Sequence, residues 1–211
     1  MISGGKLSQE TRNRILEKGL QVVSRSGLEG LSLGPLAELS GLSKSGLFAH
    51  FGSKEEIQIS ILDHTAEFSK SKVLEPTLKS KEGLPRLRSL VKHWLGWSKK
   101  AGLPGGCPIA AGLFELDDSK GPVREKLLSM ESEWRALLKK FTKDCVDLGE
   151  LRSDLDLDQF VWELCGIYLV HHTSFRFLKD PKADRRAEKA FQALLDRSYP
   201  IQKQKGKKSN L

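Results

Sequence analysis

Between Ser32 and Lys54 the chain reads SLGPLAELSGLSKSGLFAHFGSK, and this stretch holds the side chains best suited to an outside partner. Lys44 offers a full positive charge, Ser32, Ser43 and Ser45 offer hydroxyls, and His50 offers a ring that can donate or accept a hydrogen bond. Gly46 would let a partner surface come close. Ser53 and Lys54 open a further helix, whose free first-turn amides and adjacent ammonium suit a phosphate.

Two short helices and a turn must position these groups. Leu33, Leu36, Ala37 and Leu39 give a one-sided apolar first element, and Gly41 supplies the backbone freedom of a sharp turn. Ser43 then caps a second helix, with Leu42 placed to staple onto Leu47. Leu47, Phe48 and Phe51 are expected to turn inward, leaving Lys44, Ser45 and His50 outside. This is the layout of a helix-turn-helix, whose second helix enters the DNA major groove. A helical hairpin that only packs has the same spacing.

From Thr11 to Leu62 the sequence resembles the TetR (tetracycline-repressor-like) family of bacterial regulators. The resemblance is carried by Ile15, Leu16, Gly27, Ser32, Leu36, Ala37, Gly41, Ser43, Lys44, Leu47, Phe48, His50, Phe51, Ser53 and Lys54. It implies DNA contact at Ser32, Ser43, Lys44, Ser45, Gly46, Leu47, Phe48, His50 and Lys54, and a helix after Ser53 that runs as a lever into a ligand-binding domain. Phe48 stands where the family often has Tyr, Ala49 where a larger polar residue is frequent, and Ser45-Gly46 replaces a common Gly-Thr pair.

The implied fold is all-α: a helix-turn-helix domain over residues 1–55, a larger helical ligand-binding and dimerisation domain over 56–200, and a basic disordered tail over 201–211. Charge follows this division. Residues 1–100 carry sixteen Lys and Arg against ten acids, residues 101–200 carry fifteen against seventeen, and 203–208 add four lysines to a net charge of +8. No apolar run approaches a membrane span and no leader pattern opens the chain, so a cytoplasmic protein is expected.

Helical spacing places a first helix over residues 8–25, capped by Ser8, with Arg12 and Arg14 read as a solvated face from which one arginine could reach a phosphate. Ser53 begins the lever helix, with Glu56 completing a capping box. Residues 70–81, with Pro76 and several Ser and Lys, read as an exposed connection. Further helices follow from Leu84, from Val123 to Leu148, from Phe160 to Val170 and from Arg185 to Leu195. The Phe160–Val170 segment is apolar on nearly every side, so a second subunit is expected to cover one face and make a homodimer, with the last two helices pairing as a four-helix bundle.

Cys107, Cys145 and Cys165 have neither disulfide nor zinc spacing, and His171 and His172 point about 100 degrees apart on a helix, so no metal site is expected. No nucleophile elbow, phosphate loop or zinc-protease motif occurs, and neither catalytic residues nor a cofactor are called for. Trp94, Trp97, Phe114, Trp134, Phe141, Trp162 and Tyr168 enrich the later helices in aromatics. Among them Trp97, Phe114 and Trp134 are the expected lining of the cavity that the resemblance implies. The expected function is a repressor that binds an inverted-repeat operator in double-stranded DNA and is released by a small-molecule effector. Control by a partner protein or by oxidation of Cys107, and a helical enzyme, are the alternatives.

Overall fold

The computed structural model describes residues 3–200, with side chains from Gln9 onward, and every regular element among them is an α-helix. In order these are α1 (Ser3–Ser26), α2 (Leu33–Leu39), α3 (Lys44–Phe51), α4 (Lys54–Leu78), α5 (Leu84–Trp94), α6 (Trp97–Lys100), α7 (Pro108–Glu115), α8 (Pro122–Asp147), α9 (Leu157–Arg176) and α10 (Ala183–Asp196). The lysine-rich segment expected to be disordered lies outside the described residues.

Helices α1 to α4 close around Ile15, Leu28, Leu31, Leu36, Leu47, Ile57 and Ile61, all within 1% of full burial. Burying side chains of this size contributes roughly 1.5–3 kcal/mol each, which is what forces α2 and α3 against α1. This cluster also takes in Leu116, Val123 and Leu127 from the end of α7 and the start of α8. A second cluster joins α5, α8, α9 and α10 around Leu87, Leu90, Leu138, Phe160, Leu164 and Leu195. Helix α4 contributes to both, through Ile57, Ile61 and Leu62 to the first and Val73 to the second.

Three sequence expectations are corrected. Helix α1 starts at Ser3, so Ser8 lies inside it rather than capping it; among the described side chains the buried apolar pattern begins at Ile15, and the helical spacing read from sequence began with it. Helix α4 does not give way near Lys70 but continues to Leu78, because Val73 and Thr77 are buried and the Thr77 hydroxyl donates to the Val73 carbonyl at 2.6 Å. Pro76 costs α4 the i→i−4 bond of its own position, and the helix carries on past it for only two more residues, held by the buried Val73 and Thr77. Arg12 is not a solvated charge. Its Nη1 donates to the His50 carbonyl at 3.0 Å, its Nη2 donates to Ser60 Oγ at 2.9 Å, and its guanidinium stands 4.1 Å from the Phe51 ring centroid.

Arg12 therefore ties α1 to the end of α3 and to α4, and it fixes the angle at which α3 leaves the domain. Replacing it with Ala is expected to lower unfolding stability by about 2 kcal/mol, since hydrogen bonds from a charged donor contribute roughly 1.5–3 kcal/mol. Urea unfolding of the two proteins measures this, and a loss below about 0.5 kcal/mol would remove the bracing role.

Candidate nucleic-acid interface and effector cavity

Helix α3 is held by its ends. Ser43 Oγ accepts from the Gly46 amide at 3.1 Å and shares a 2.8 Å hydrogen bond with Ser45 Oγ, so these two hydroxyls order the first turn. Gly41, at φ +66°, makes the sharp turn from α2, and the Leu42 amide donates back to the Ala37 carbonyl at 2.9 Å. Leu47 and Phe51, one turn apart, are buried and anchor the helix.

Because Leu47 is fully enclosed, it supports the outer face instead of forming part of it. Phe48 departs from the expected inward position and is 42% exposed: one residue beyond Leu47, it is turned about 100 degrees away from the buried side. The outward surface is thus Lys44, Ser45, Phe48 and Ala49, with His50 at its margin. It combines an ammonium with apolar groups of the kind that meet a thymine methyl.

Ser32 caps α2 by position but makes no side-chain cap bond, leaving its hydroxyl exposed. Lys44 lies across the first turn of α2, where a Cβ on Gly34 would stand 3.3 Å from the Lys44 Cε. Ser53 Oγ accepts from the Glu56 amide at 3.0 Å and caps α4, half of the expected capping box. Lys54 remains exposed, with its ammonium 3.4 Å from the Glu29 carbonyl.

A joint absent from the sequence reading connects this face to the rest. Gly27, at φ +76°, ends α1, and the carboxylate of Glu115, at the end of α7, takes the amides of Leu28 at 2.7 Å and Glu29 at 3.2 Å. Gln58 of α4 donates to the Leu28 carbonyl at 2.8 Å. Close by, the Gly106 amide donates to the Ser24 carbonyl at 2.7 Å, and Gly105 packs so near this carbonyl that no side chain would fit. None of these main-chain contacts has a hydrophobic signature in sequence; only Gly27 and the Gly105-Gly106 pair marked the places.

The other side of α7 faces a cavity of about 440 Å³. Ile109, Ala110 and Leu113 of α7 line it, together with parts of α4, α8 and α9. Trp97 and Trp134 are on its wall as expected, whereas Phe114 is not: it is 63% exposed, because Ile109, Ala110 and Leu113 already take the inward side of the short α7. Trp94 and Tyr168 take the missing aromatic role. Their rings stack at 4.2 Å and 7°, and Trp134 meets Trp94 edge-on at 5.1 Å. Both had been visible only as members of an aromatic-rich set. The Trp134 Nε1–H is buried without an acceptor.

Cys107 and Cys165 also border the cavity, and all three cysteines are buried. Burial raises the Cys107 thiol, and it raises Cys165 to about 11 and Cys145 to about 12. The thiolate is therefore scarce at neutral pH, opposite to what a reactive cysteine needs. Among the described residues no three His, Cys, Asp or Glu gather as metal ligands, and no helix is long and apolar enough to cross a membrane.

The buried anchors, capped second helix and exposed outer face make a helix-turn-helix joined to a helical cavity domain. Residues 15–61 match the model of bacterial regulatory proteins of the tetR family, and residues 83–191 match that of the tetracyclin repressor-like C-terminal domain. The chain belongs to the TetR family of DNA-binding transcriptional regulators. Its sequence is 26% identical over 139 residues to the nucleoid occlusion factor SlmA of Serratia proteamaculans, covering 64% of this chain and 69% of that one. Its fold is similar to a TetR transcriptional regulator of Chloroflexus aurantiacus, at TM-score 0.80 and 24% identity over 90% of this chain and 95% of that one. It is also similar to AibR in complex with isovaleryl coenzyme A and operator DNA, at TM-score 0.68 and 18% identity over 90% and 98% of the two chains.

The raised thiol values carry a direct expectation. Treatment with iodoacetamide at pH 8 should leave all three cysteines unmodified in the folded protein over a time that labels all three in urea, because the neutral thiol is a poor nucleophile. Intact-mass spectrometry reads the difference, and rapid labelling of Cys107 in the folded chain would restore the oxidation alternative.

Proposed function

We propose that this regulator is a cytoplasmic homodimeric repressor that holds an inverted-repeat operator through residues 1–55 and leaves it when residues 56–200 take up a small molecule. The observation that carries this reading is α7, which lines the cavity with Ile109, Ala110 and Leu113 and grips the α1–α2 loop with Glu115. A molecule that pushes on α7 thereby moves the base of the helix-turn-helix, and differential affinity for the two arrangements is all that release requires. AibR, whose structure holds both isovaleryl coenzyme A and operator DNA, supports the binding of both kinds of partner by one such fold. A filled core would have favoured control by a partner protein, and the open cavity favours an effector.

Dimerisation is supported by an apolar stripe on α9. Trp162 is 66% and Val170 67% exposed, and Gly166 lies between them with open space around its Cα. Covering such a stripe with its symmetry mate is the simplest way to bury it. Sedimentation should give about twice the 23.6 kDa chain mass. Val170→Glu should shift the protein toward monomer at micromolar concentration; an unchanged dimer would place the interface elsewhere.

In the DNA complex, Lys54 is assigned to phosphate and Lys44 to a base edge. Lys54→Ala should weaken binding to every duplex and flatten the salt dependence by roughly one unit of slope per subunit. Lys44→Ala should cost about 1–3 kcal/mol at one operator position and little on scrambled DNA. Equal losses on both duplexes would move Lys44 to the backbone, and no loss for either variant would remove this face from DNA contact.

For the coupling, Glu115→Ala frees the Leu28 and Glu29 amides to bond water. A compound that lowers operator affinity of the parent protein should then lower that of the variant much less, while still binding it equally well in calorimetry. An undiminished response would take α7 out of the route.

A further inference from the structure

We propose that the cavity selects its effector by the sign of its charge, taking lipophilic cations with aromatic or alkyl bulk and rejecting anions of the same size and shape; this rests on the effector reading above. Four aromatic rings form much of the wall, and the faces of Trp and Tyr rings attract a desolvated cation. The ionisable groups on the wall point the same way. They are Glu67, Glu131, Glu133 and a single cation, Lys70. Lys70 is exposed at the mouth between α4 and α8, and its ammonium is already 3.5 Å from Glu67.

That leaves Glu131 and Glu133 without a cation on the wall. The Glu131 side chain is only 17% exposed, and its one ionic partner, Arg135 Nε at 2.7 Å, lies toward Val161 and Trp162 of α9 and does not line the space. Glu133 at the mouth has only the Ser129 hydroxyl, at 3.1 Å. An anionic headgroup entering here would shed its water without gaining a free cation, which is costly. A cation would meet π faces and carboxylates along its path. The rest of the wall, with Val73, Leu74, Met130 and Leu137, suits apolar bulk and no further charge.

Tetraphenylphosphonium and tetraphenylborate test this, being nearly identical in size and shape and opposite in charge. The chain's net charge of +8 favours the borate in non-specific binding, which therefore works against the expected result. Titration would use the full chain carrying Trp162→Phe, in sodium buffer. Trp94, Trp97 and Trp134 all line the cavity, so the remaining tryptophan emission reports occupancy there.

The phosphonium should bind about tenfold or more tightly than the borate, and Glu131→Gln together with Glu133→Gln should reduce that ratio to about threefold or less. Equal or tighter binding of the borate at the cavity would overturn charge selection while leaving a ligand cavity in place. A preference untouched by the double variant would overturn its assignment to the carboxylates. No binding of either ion, by calorimetry as well as emission, would overturn both this proposal and the effector reading. If the double variant does not fold, the comparison of the two ions on Trp162→Phe decides the question alone.

Discussion

The placement of the helix-turn-helix against the rest of the chain depends on how the main chain between Gly27 and Glu29 is satisfied. A helix end leaves carbonyls without partners, and the chain that follows carries amides and carbonyls of its own, costly to leave unpaired away from water. Here the amides of Leu28 and Glu29 go to Glu115, and the Leu28 carbonyl goes to Gln58. Glu115 belongs to α7 and Gln58 to α4, so the turn that opens the helix-turn-helix is completed by the elements that also border the cavity. The N-terminal unit is therefore not independent of the C-terminal one, although most of its hydrophobic core is its own.

Arg12 performs the matching task at the other end of α3. By donating to the His50 carbonyl it takes up an acceptor that the end of the short helix leaves free, and by donating to Ser60 it ties that end to α4. Helix α3 is eight residues long, too short to hold itself in water. Its order comes from Ser43 at one end, Arg12 at the other and the Leu47–Phe51 anchor beneath. A displacement of α4 is thus passed to α3 through a charged donor, which tolerates less slippage than an apolar contact would.

The helix-turn-helix could be read from sequence because its determinants are local. Gly41, the Ser43 cap, the Ser53 cap and the inward Leu47 and Phe51 all act within one or two turns, and each is found where its spacing placed it. What escaped was non-local or polar. Arg12 and Glu115 find their partners 38 and 87 residues away, and no periodicity marks a side chain that bonds to main chain. Phe48 faces outward although its apolar character alone suggests burial, because the adjacent Leu47 already occupies the inward direction. Phe114 faces outward for the same reason on α7, while Trp134 reaches the cavity wall on the long apolar side of α8 and Trp97 as the one apolar residue of the short α6.

The two faces of the molecule carry opposite demands, since DNA calls for positive charge and the charged groups at the mostly apolar cavity wall are three Glu against one Lys. Helix α4 separates them. From Lys54 at its start to Ala66, where the cavity begins, twelve residues span roughly 18 Å at 1.5 Å per residue. The screening length at physiological salt is about 8 Å, so exposed charges at the cavity mouth contribute little field at the DNA face. A charged effector would therefore not repel or attract DNA directly. Its effect must be carried by displacement, and the connections able to carry it are the ones already made: α4 through Gln58, Lys54 and the Arg12–Ser60 bond, and α7 through Glu115. The separation lets the chain keep a basic DNA-facing end and an acidic cavity without either charge set weakening the other, and it makes the hydrogen bonds around Leu28 the place where the two meet.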